Sequence, residues 1–219
     1  MIAIVPLKLK SSRVPNKNWK DLCGKPLFAY ILNTVLSCNE IRDVYVTVDC
    51  AETANRVMER FPMVHIIMRP EDIAKPTATA NDIIRHAITE IQGDDFLYTH
   101  ATNPMLSKET ITNGIREYKK GHCDTLMGVT YLYDRAYYRG KAVNHNPQII
   151  DQTQDLFPIA IDNSCLYIFS RDAFAKHGRI GERPCFFEIP QNEAIDIDTN
   201  FDWEVATLVC KRKYTKGKE

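Results

Sequence analysis

The sequence predicts an α/β fold with a mostly parallel central sheet. The two supporting features are the alternation of strand and helix patterns and the spacing between successive strands. Short runs rich in β-branched and aromatic residues alternate with segments of helical periodicity through the first half of the 219 residues. Strands separated by helices at this spacing pair in parallel through right-handed crossovers. Since no internal repeat or low-complexity tract interrupts the chain, we expect a single domain over residues 1–219.

Seven segments carry a strand pattern. The first is a compact apolar run almost at the first residue, and the second, Asp-Val-Tyr-Val-Thr-Val, is mostly β-branched. A turn-like Gly-Asp-Asp precedes the fourth strand. The predicted strands cover residues 2–5, 43–48, 64–68, 96–99, 125–133, 165–169 and 186–189.

Six segments carry a helix pattern. Pro26 opens the first because its fixed φ suits the first helical position, and Ser107 is the predicted N-cap of the fourth. The predicted helices cover residues 26–35, 51–60, 79–91, 107–120, 171–177 and 201–213. Between them, residues 134–155 are rich in Tyr, Asn, Gln and Arg without a clear period. They predict either a long functional excursion or a poorly packed loop.

The charge balance excludes one class of function. Lys and Arg total 28 and Asp and Glu total 28, so the net charge is +0, whereas non-specific nucleic-acid binding needs a large positive excess. The charges are nevertheless segregated. Residues 1–25 carry six basic side chains and one acid, while residues 188–204 carry six acids and neither Lys nor Arg. We therefore expect a local anion site and a local cation site, and no nucleic-acid partner.

The compartment is predicted from three absences in the sequence. The apolar start precedes Lys8 and Lys10, which is the reverse of a secretory leader, and no apolar run approaches the roughly 18–20 residues of a membrane span. The seven cysteines are scattered without a Cys-x-x-Cys pair, whereas a disulfide scaffold or zinc site would cluster them. These features predict free thiols in a reducing compartment, and hence a cytoplasmic protein without a membrane partner.

A basic polar loop follows the first predicted strand. It carries Lys8, Lys10, Arg13 and Lys17, and neither a dinucleotide-binding nor a P-loop glycine pattern is present. Cationic side chains and backbone N–H groups that converge after a buried strand suit a polyphosphate. The alternative is a solvated basic loop without a ligand.

A pair of carboxylates lies near the other end of the chain. Asp196 and Asp198 are two residues apart, so in an extended segment they point to the same side. Paired carboxylates suit Mg²⁺ that also contacts substrate phosphates. The alternative is that Asp198 or Asn200 is only the N-cap of the following helix.

The ordered set of motifs resembles one family from Ile2 to about Ala206, the cytidylyltransferases of the CMP-acylneuraminate synthetase group. Lys8 and residues 11–18 resemble its opening motif, and Gly-Lys-Pro-Leu at 24–27 follows as in the family. Further similar segments are Val-Thr-Val-Asp at 46–49, Arg-Pro at 69–70, Thr-Asn-Pro-Met at 102–105, Asn163 with Tyr167, and Asp-Ile-Asp at 196–198.

The resemblance implies a fold and an activity. The fold is a Rossmann-like, doubly wound, mostly parallel mixed sheet of the nucleotide-sugar transferase type, with residues 134–160 as a protruding dimerisation and acceptor-site arm. The activity is transfer of CMP from CTP to a sialic-acid-like or other ketosugar acid, with release of pyrophosphate, by a homodimer that uses Mg²⁺. Tyr and Arg residues in the arm fit an interface.

The resemblance also implies the site residues. Lys8, Lys17 and Asp198 take catalytic roles, and Asp196 and Asp198 bind the metal. The nucleotide-binding set comprises Leu7, Lys8, Ser11, Arg13, Lys17, Asn18, Arg69, Ala78 and Thr79, and the acceptor-binding set comprises His100, Thr102, Asn163 and Tyr167.

Three departures from the family pattern keep alternatives open. Arg13 replaces a loop glycine, His100 replaces a glutamine near the sugar, and the positions of the expected acceptor arginines hold Thr153 and Ile161. Loss of a guanidinium removes a bidentate carboxylate clamp. The acceptor would then be a phosphonate, a phosphorylated small molecule or another nonulosonate instead of a sialic acid. The missing glycines allow a further alternative, a non-catalytic nucleotide-binding subunit.

Overall fold

The computed structural model describes residues 1–75, 77–149 and 152–215, and its centre is a seven-stranded sheet. Two short hairpins accompany this sheet. In chain order the strands are β1 (Ile2–Pro6), β2 (Asp21–Leu22), β3 (Lys25–Pro26), β4 (Asp43–Val48), β5 (His65–Met68), β6 (Asp95–Tyr98), β7 (Thr125–Leu132), β8 (Tyr137–Tyr138), β9 (Lys141–Ala142), β10 (Ile159–Ser170) and β11 (Pro184–Glu188).

Helices connect most of these strands. They are α1 (Leu27–Ser37), α2 (Ala51–Arg60), α3 (Glu71–Ala74), α4 (Ala80–Glu90), α5 (Lys108–Tyr118), α6 (Arg171–His177) and α7 (Asn200–Thr215). No helix within the described ranges is long and apolar enough to cross a membrane.

The strand order places the loop after β1 at the point where the chain changes direction across the sheet. The order is β11-β7-β10-β6-β1-β4-β5, and β1 pairs in parallel with both β4 and β6. Among the described strands of this sheet, only β10 runs antiparallel to its neighbours. Ligands of open α/β sheets bind beyond the carboxyl ends at such a switch point. The predicted doubly wound, mostly parallel mixed sheet is confirmed.

The alternation of side chains in β1 explains why both faces of the sheet are covered. Ala3 and Val5 point into one apolar cluster with α1 and α5, while Ile2 and Ile4 point into a second cluster with α4 and α6. These four side chains are at most 3% exposed. Successive residues of a strand face opposite sides, so an uninterrupted apolar run requires two covering layers.

Most predicted elements are confirmed to within two residues, and three helix or strand ranges agree at both ends: β4, α2 and α6. The main error concerns β10, which begins at Ile159 instead of the predicted residue 165. Its first half pairs with the end of β7, beyond the point where β6 stops. The pattern before Cys165 is broken by polar residues and by a bulge between Asp162 and Tyr167, so no period was visible.

This extension of β7 and β10 carries the irregular segment that was predicted as an arm. The segment is not wholly irregular, since it contains the hairpin β8–β9 and a 3₁₀ turn at Thr153–Asp155. Residues 150 and 151 of the predicted arm lie outside the described residues. Three of its aromatic side chains, Tyr137, Tyr138 and Phe157, are more than half exposed.

The prediction of free thiols is wrong for two of the seven cysteines. Cys123 and Cys185 form a disulfide across 62 residues of sequence. Cys123 lies just before β7 and Cys185 lies in β11, which pairs in parallel with β7. The two thiols meet through sheet pairing and not through sequence clustering, which is why their spacing gave no signal. The other five cysteines are free.

Candidate functional site

A cavity of about 280 Å³ opens at the carboxyl edge of the sheet, between the ends of β1 and β6. The loop after β1 forms one wall and the acidic segment before α7 contributes to the other. Its lining residues are Pro6, Leu7, Lys8, Ser11, Arg13, Lys17, Asn18, Arg69, Ala80, Ile83, Tyr98, His100, Ala101, Thr102 and Asp198. The structure therefore brings together nine of the nucleotide- and acceptor-site positions predicted from sequence with Asp198.

Side chains hold the backbone of the basic loop in place. The carbonyl oxygens of three successive residues each accept one hydrogen bond. Arg69 donates to Leu7 at 2.6 Å, Asn18 donates to Lys8 at 2.9 Å, and Trp19 donates to Leu9 at 3.0 Å. Arg13 itself is not among the residues with a positive φ, so its backbone does not require the glycine of the family pattern. Asn18 and Arg69 thus line the cavity and also shape it.

Asp49 anchors the same loop from the end of β4. Both of its carboxylate oxygens accept the Leu9 N–H, at 2.9 and 3.1 Å, and the Thr53 hydroxyl donates to Asp49 at 2.6 Å. Burial lowers the pKa of the neighbouring Arg69 guanidinium, and the Asp49 charge opposes that shift. Asp49 was recognised only as a motif position and was not among the predicted site residues. Its partner is a backbone N–H, which leaves no mark in the sequence.

Lys17 and Arg13 reach across the cavity to the acidic segment. Lys17 lies in a 3₁₀ turn preceded by Asn16 in the left-handed region, and its side chain is buried. Its Nζ donates to the Ile197 carbonyl and lies 3.2 Å from an Asp198 oxygen. An Arg13 nitrogen lies 2.8 Å from the same oxygen. The two cations predicted to bind phosphate therefore pair with the carboxylate predicted to bind metal.

Ile197 fixes the orientation of the two carboxylates. Its side chain is fully buried in an apolar cluster with α1 and α7, and its N–H donates to the Thr102 carbonyl at 2.9 Å. Asp196 and Asp198 flank it and are electrostatically coupled. Burial is the largest cause that raises the pKa of the Asp196 carboxyl, and the Asp198 charge raises it further.

The capping alternative for these residues is wrong. Thr199, and not Asp198 or Asn200, caps α7, since its hydroxyl accepts the Asp202 N–H at 3.2 Å while Asp202 accepts the Thr199 N–H at 2.7 Å. This reciprocal capping box leaves the Asp198 carboxylate available for other ligands.

The donor set fits a metal that needs few protein ligands. Oδ1 of Asp196 is buried and has no hydrogen-bond partner, which is costly unless a donor or cation reaches it. Within the described ranges there is no group of three or more His, Cys, Asp or Glu residues that would enclose a metal. Mg²⁺ is typically bound by one or two carboxylates together with water and substrate phosphates. Asp196 and Asp198 fit that pattern.

His100 is a neutral imidazole at the end of β6. Its Nδ1 lies 2.8 Å from the Ser164 carbonyl, and since a carbonyl only accepts, Nδ1 carries the hydrogen. Burial lowers the pKa of His100 below its ordinary value, and the Arg179 charge acts in the same direction. A neutral ring with hydrogen on Nδ1 keeps an acceptor lone pair on Nε2. His100 therefore has the protonation state of a proton acceptor.

Four of the predicted nucleotide- and acceptor-site residues lie outside the wall of this cavity. Ala78 lines a neighbouring cavity, and Thr79 caps α4 through a capping box with Asp82. Asn163 donates to the Thr130 hydroxyl at 3.1 Å within the bulge of β10. Tyr167 is fully buried, and its hydroxyl donates to both oxygens of Asp162 at 2.7 and 2.8 Å. Asn163 and Tyr167 thus support the β10 side of the site.

Two side chains with polar groups near the site were not predicted from sequence. Tyr98 ends β6, lines the cavity and contacts the His100 ring edge-on at a centroid distance of 4.8 Å. Arg179 follows α6 and lies over the Tyr167 ring, 4.3 Å from its centroid. An apolar strand end and an isolated arginine gave no sequence signal. The pairing of β6 with β10 brings Tyr98 beside Tyr167, the ring over which Arg179 lies.

Comparison with known proteins points to one family. A family model described as Cytidylyltransferase matches residues 2–178. In an alignment 230 positions long, the chain is 26% identical to the pseudaminic acid cytidylyltransferase of Campylobacter jejuni, with 96% of each chain covered. It is 24% identical to the CMP-N,N'-diacetyllegionaminic acid synthase of Legionella pneumophila, with 93% of each covered.

Solved structures show the same fold. A CMP:2-keto-3-deoxy-manno-octonic acid synthetase complexed with CTP superposes with a TM-score of 0.72 at 14% identity, covering 97% of this chain and 98% of that one.

Proposed function

The chain belongs to the cytidylyltransferase family, and from this premise we propose that it transfers CMP from CTP to a sialic-acid-like ketosugar acid and releases pyrophosphate. The observation that carries the proposal is the cavity in which the basic loop after β1 meets the acidic segment before α7. The family match covers 2–178, and the relatives named above act on pseudaminic and legionaminic acids.

The phosphates are proposed to lie along the basic loop. Lys8 and Arg13 line the cavity and are exposed. Lys17 also lines the cavity, but as a buried cation. Nucleotidyl transfer demands little covalent chemistry from the protein, so positioning and charge neutralisation supply most of the rate. The side-chain anchors at Leu7, Lys8 and Leu9 hold this loop rigid before the nucleotide arrives.

The proposed cofactor is Mg²⁺, held by Asp196 and Asp198. Bound there, it would neutralise phosphate charge and lower the pKa of the attacking hydroxyl. The chain's own part is to hold these carboxylates together, which the buried Ile197 between them does. Lys17 and Arg13 compensate the Asp198 charge from the other side.

His100 is proposed to take the proton of the acceptor hydroxyl. It lines the cavity beside Thr102 and Asp198, and its neutral ring presents Nε2 as the acceptor. The hydroxyl oxygen then attacks the α-phosphorus of CTP in line, the proton passes to Nε2, and the bond to pyrophosphate breaks on the opposite side.

The predicted homodimer remains part of this proposal. The arm between β7 and β10 exposes Tyr137, Tyr138 and Phe157, and Tyr and Phe are enriched in interface cores. A protein that sediments as a monomer at micromolar concentration would contradict it. The cytoplasmic location stays a prediction.

The direct test substitutes Asp198 by Asn. This change removes one carboxylate of the pair and leaves the size of the side chain unchanged. We expect pyrophosphate release with CTP, Mg²⁺ and N-acetylneuraminic or pseudaminic acid to fall by about 10²-fold or more. CTP binding measured calorimetrically without Mg²⁺ should persist, because Arg13 and Lys17 are released from their ion pairs.

The matched control is Glu204→Gln, the same chemical change at an exposed position of α7. Near-normal turnover of Asp198→Asn beside an unchanged control would refute the metal-binding role. An acceptor panel that includes a phosphonate and a sugar phosphate tests the acceptor class. Release of pyrophosphate with those compounds and not with the acids would overturn the ketosugar-acid assignment.

A further inference from the structure

The guanidinium of Arg179 is a cation near the cavity that the proposed mechanism does not use. Its guanidinium lies over the face of Tyr167, 4.3 Å from the ring centroid. Within the described part of the chain, the guanidinium makes no hydrogen bond or ion pair with another residue. A guanidinium that stacks on a ring keeps the N–H groups at its own edges free to donate.

The charge of Arg179 reaches the cavity wall. Burial is the main cause that lowers the pKa of His100, and Arg179 is the largest charge acting in the same direction. Burial raises the pKa of Tyr98, and Arg179 is the first charge that opposes that rise. His100 and Tyr98 both line the cavity. The Tyr167 ring beneath Arg179 lies 6.4 Å from the Tyr98 ring, centroid to centroid, so the guanidinium stands one ring behind the cavity wall.

The backbone around Arg179 is fixed at both ends. Gly178 has φ +78°, and a Cβ at this position would lie 2.6 Å from Nδ2 of Asn81. The Arg179 N–H donates to Oδ1 of the same Asn81 at 3.3 Å. Farther along, Asp124 accepts the N–H groups of Glu182 and Arg183 at 2.9 and 3.0 Å. The guanidinium is thus positioned before any ligand binds, which lowers the entropy cost of binding.

The sheet order separates Arg179 from the other cations. β6 lies between β1 and β10, so the basic loop after β1 and the Tyr167 region of β10 stand on opposite sides of His100. On the β1 side, Arg69 is bound to the Leu7 carbonyl, and Arg13 is paired with Asp198. An anion on the β10 side of His100 therefore meets Arg179 first.

We propose that Arg179 binds the carboxylate of the acidic acceptor and is the residue that selects for an acid. The inference rests on the proposed function, because the acid is the acceptor of that reaction. A carboxylate matches the planar fork of a guanidinium through two parallel hydrogen bonds. With the carboxylate on the β10 side, the rest of the acceptor extends past His100 toward the nucleotide on the β1 side.

The nearby Asp162 does not neutralise Arg179. Its Oδ1 accepts the Ser164 N–H at 2.9 Å, and its two oxygens accept the Tyr167 hydroxyl. No ion pair joins it to Arg179 among the described residues. Asp162 instead holds Tyr167, the ring on which the guanidinium lies, in its orientation.

The experiment compares N-acetylneuraminic acid with its methyl ester, which lacks the negative charge. We expect the wild-type protein to prefer the acid, and Arg179→Met to lose about 30- to 100-fold in kcat/KM for the acid while the value for the ester changes little. The KM for CTP should not change, and Arg179→Lys should restore part of the preference. The control is Arg183→Met, an exposed arginine on the same connection. An acid preference in Arg179→Met as large as in wild type would overturn the inference.

A binding measurement separates this inference from the proposed function. If wild type releases no pyrophosphate with either compound, the proposed function has failed with this acceptor. Saturation-transfer NMR with N-acetylneuraminic acid and the CTP-loaded protein then decides the role of Arg179. Binding of the acid that weakens by the same factor in Arg179→Met supports the inference, and binding that is equal in both proteins, or absent from wild type, overturns it.

Discussion

The anchoring of the basic loop predicts what Asp49→Asn will do. Asp49 accepts the Leu9 N–H with both oxygens and the Thr53 hydroxyl with one. The amide that replaces it keeps the shape and one acceptor oxygen but loses the charge. Its NH₂ group also has to point away from the Leu9 N–H. Of the two hydrogen-bonded contacts, from the Leu9 N–H and from the Thr53 hydroxyl, one is therefore weakened and the other is weakened or lost.

The size of the effect follows from the number of contacts. Hydrogen bonds to a charged group contribute about 1.5–3 kcal/mol each and neutral ones about 0.5–1.5, so two weakened contacts cost about 2 kcal/mol. In a protein of about 150–250 residues, 1 kcal/mol shifts Tm by roughly 2–4 °C, so we expect a fall of about 4–8 °C. Since Lys8 lies next to Leu9 on the loop, the KM for CTP should rise as well.

The assay is thermal unfolding together with steady-state kinetics on both substrates. Asp43→Asn is the control, because its carboxylate makes an exposed ion pair with Arg42, and such pairs contribute about 0–1 kcal/mol. It should stay near the wild-type Tm and keep the wild-type KM for CTP. If Asp49→Asn melts with its control and binds CTP as wild type does, then Asp49 does not shape the loop.

Two further predictions concern stability. Burial holds the pKa of His100 below its ordinary 6.5, so as pH falls below about 6.5 the unfolded chain takes up a proton that the folded chain resists. Stability is then lost as pH falls. Between about pH 7.5 and 5, Tm should therefore fall less steeply in His100→Gln than in wild type. Equal slopes of Tm against pH in the two proteins would contradict this. The disulfide between Cys123 and Cys185 closes a separation of 62 residues, which corresponds to about 4 kcal/mol. Reductant should lower the wild-type Tm by about 8–16 °C and leave Cys185→Ala unaffected, whereas a wild-type Tm that ignores reductant would show that the bond is absent or does not contribute.

The elements that the sequence predicts well are those whose burial pattern is local. β1 is buried on both faces and reads as an uninterrupted apolar run, and α2 is amphipathic and shows the helical period, so each is recognisable from its own residues. The first half of β10 fails this test, because its pairing with β7 is decided by strands far apart in sequence. Two-residue strands such as β8 and β9 are too short to show any period.

The site divides in the same way. Residues that carry charge in a recognisable order, such as Lys17 and Asp198, were found from sequence, and the structure places them 3.2 Å apart. Residues that act through backbone atoms were found only in part: Asn18 was assigned a nucleotide contact, but its hydrogen bond to the Lys8 carbonyl emerged from the structure. Arg179 was missed because its place over Tyr167 depends on residues far apart in the sequence and leaves no local pattern.

The pairing of Arg13 and Lys17 with Asp198 leads us to predict that CTP and the proposed Mg²⁺ bind with positive coupling. In the absence of ligands these two cations compensate the Asp198 charge. Phosphates that attract Arg13 away leave Asp198 with less compensation, so its affinity for a divalent cation rises. The relation is reciprocal, since a cation on Asp198 frees Arg13 for the phosphates. The basic and the acidic segment of this neutral chain therefore meet through Arg13, Lys17 and Asp198, and the proposed nucleotide and metal would replace these ion pairs.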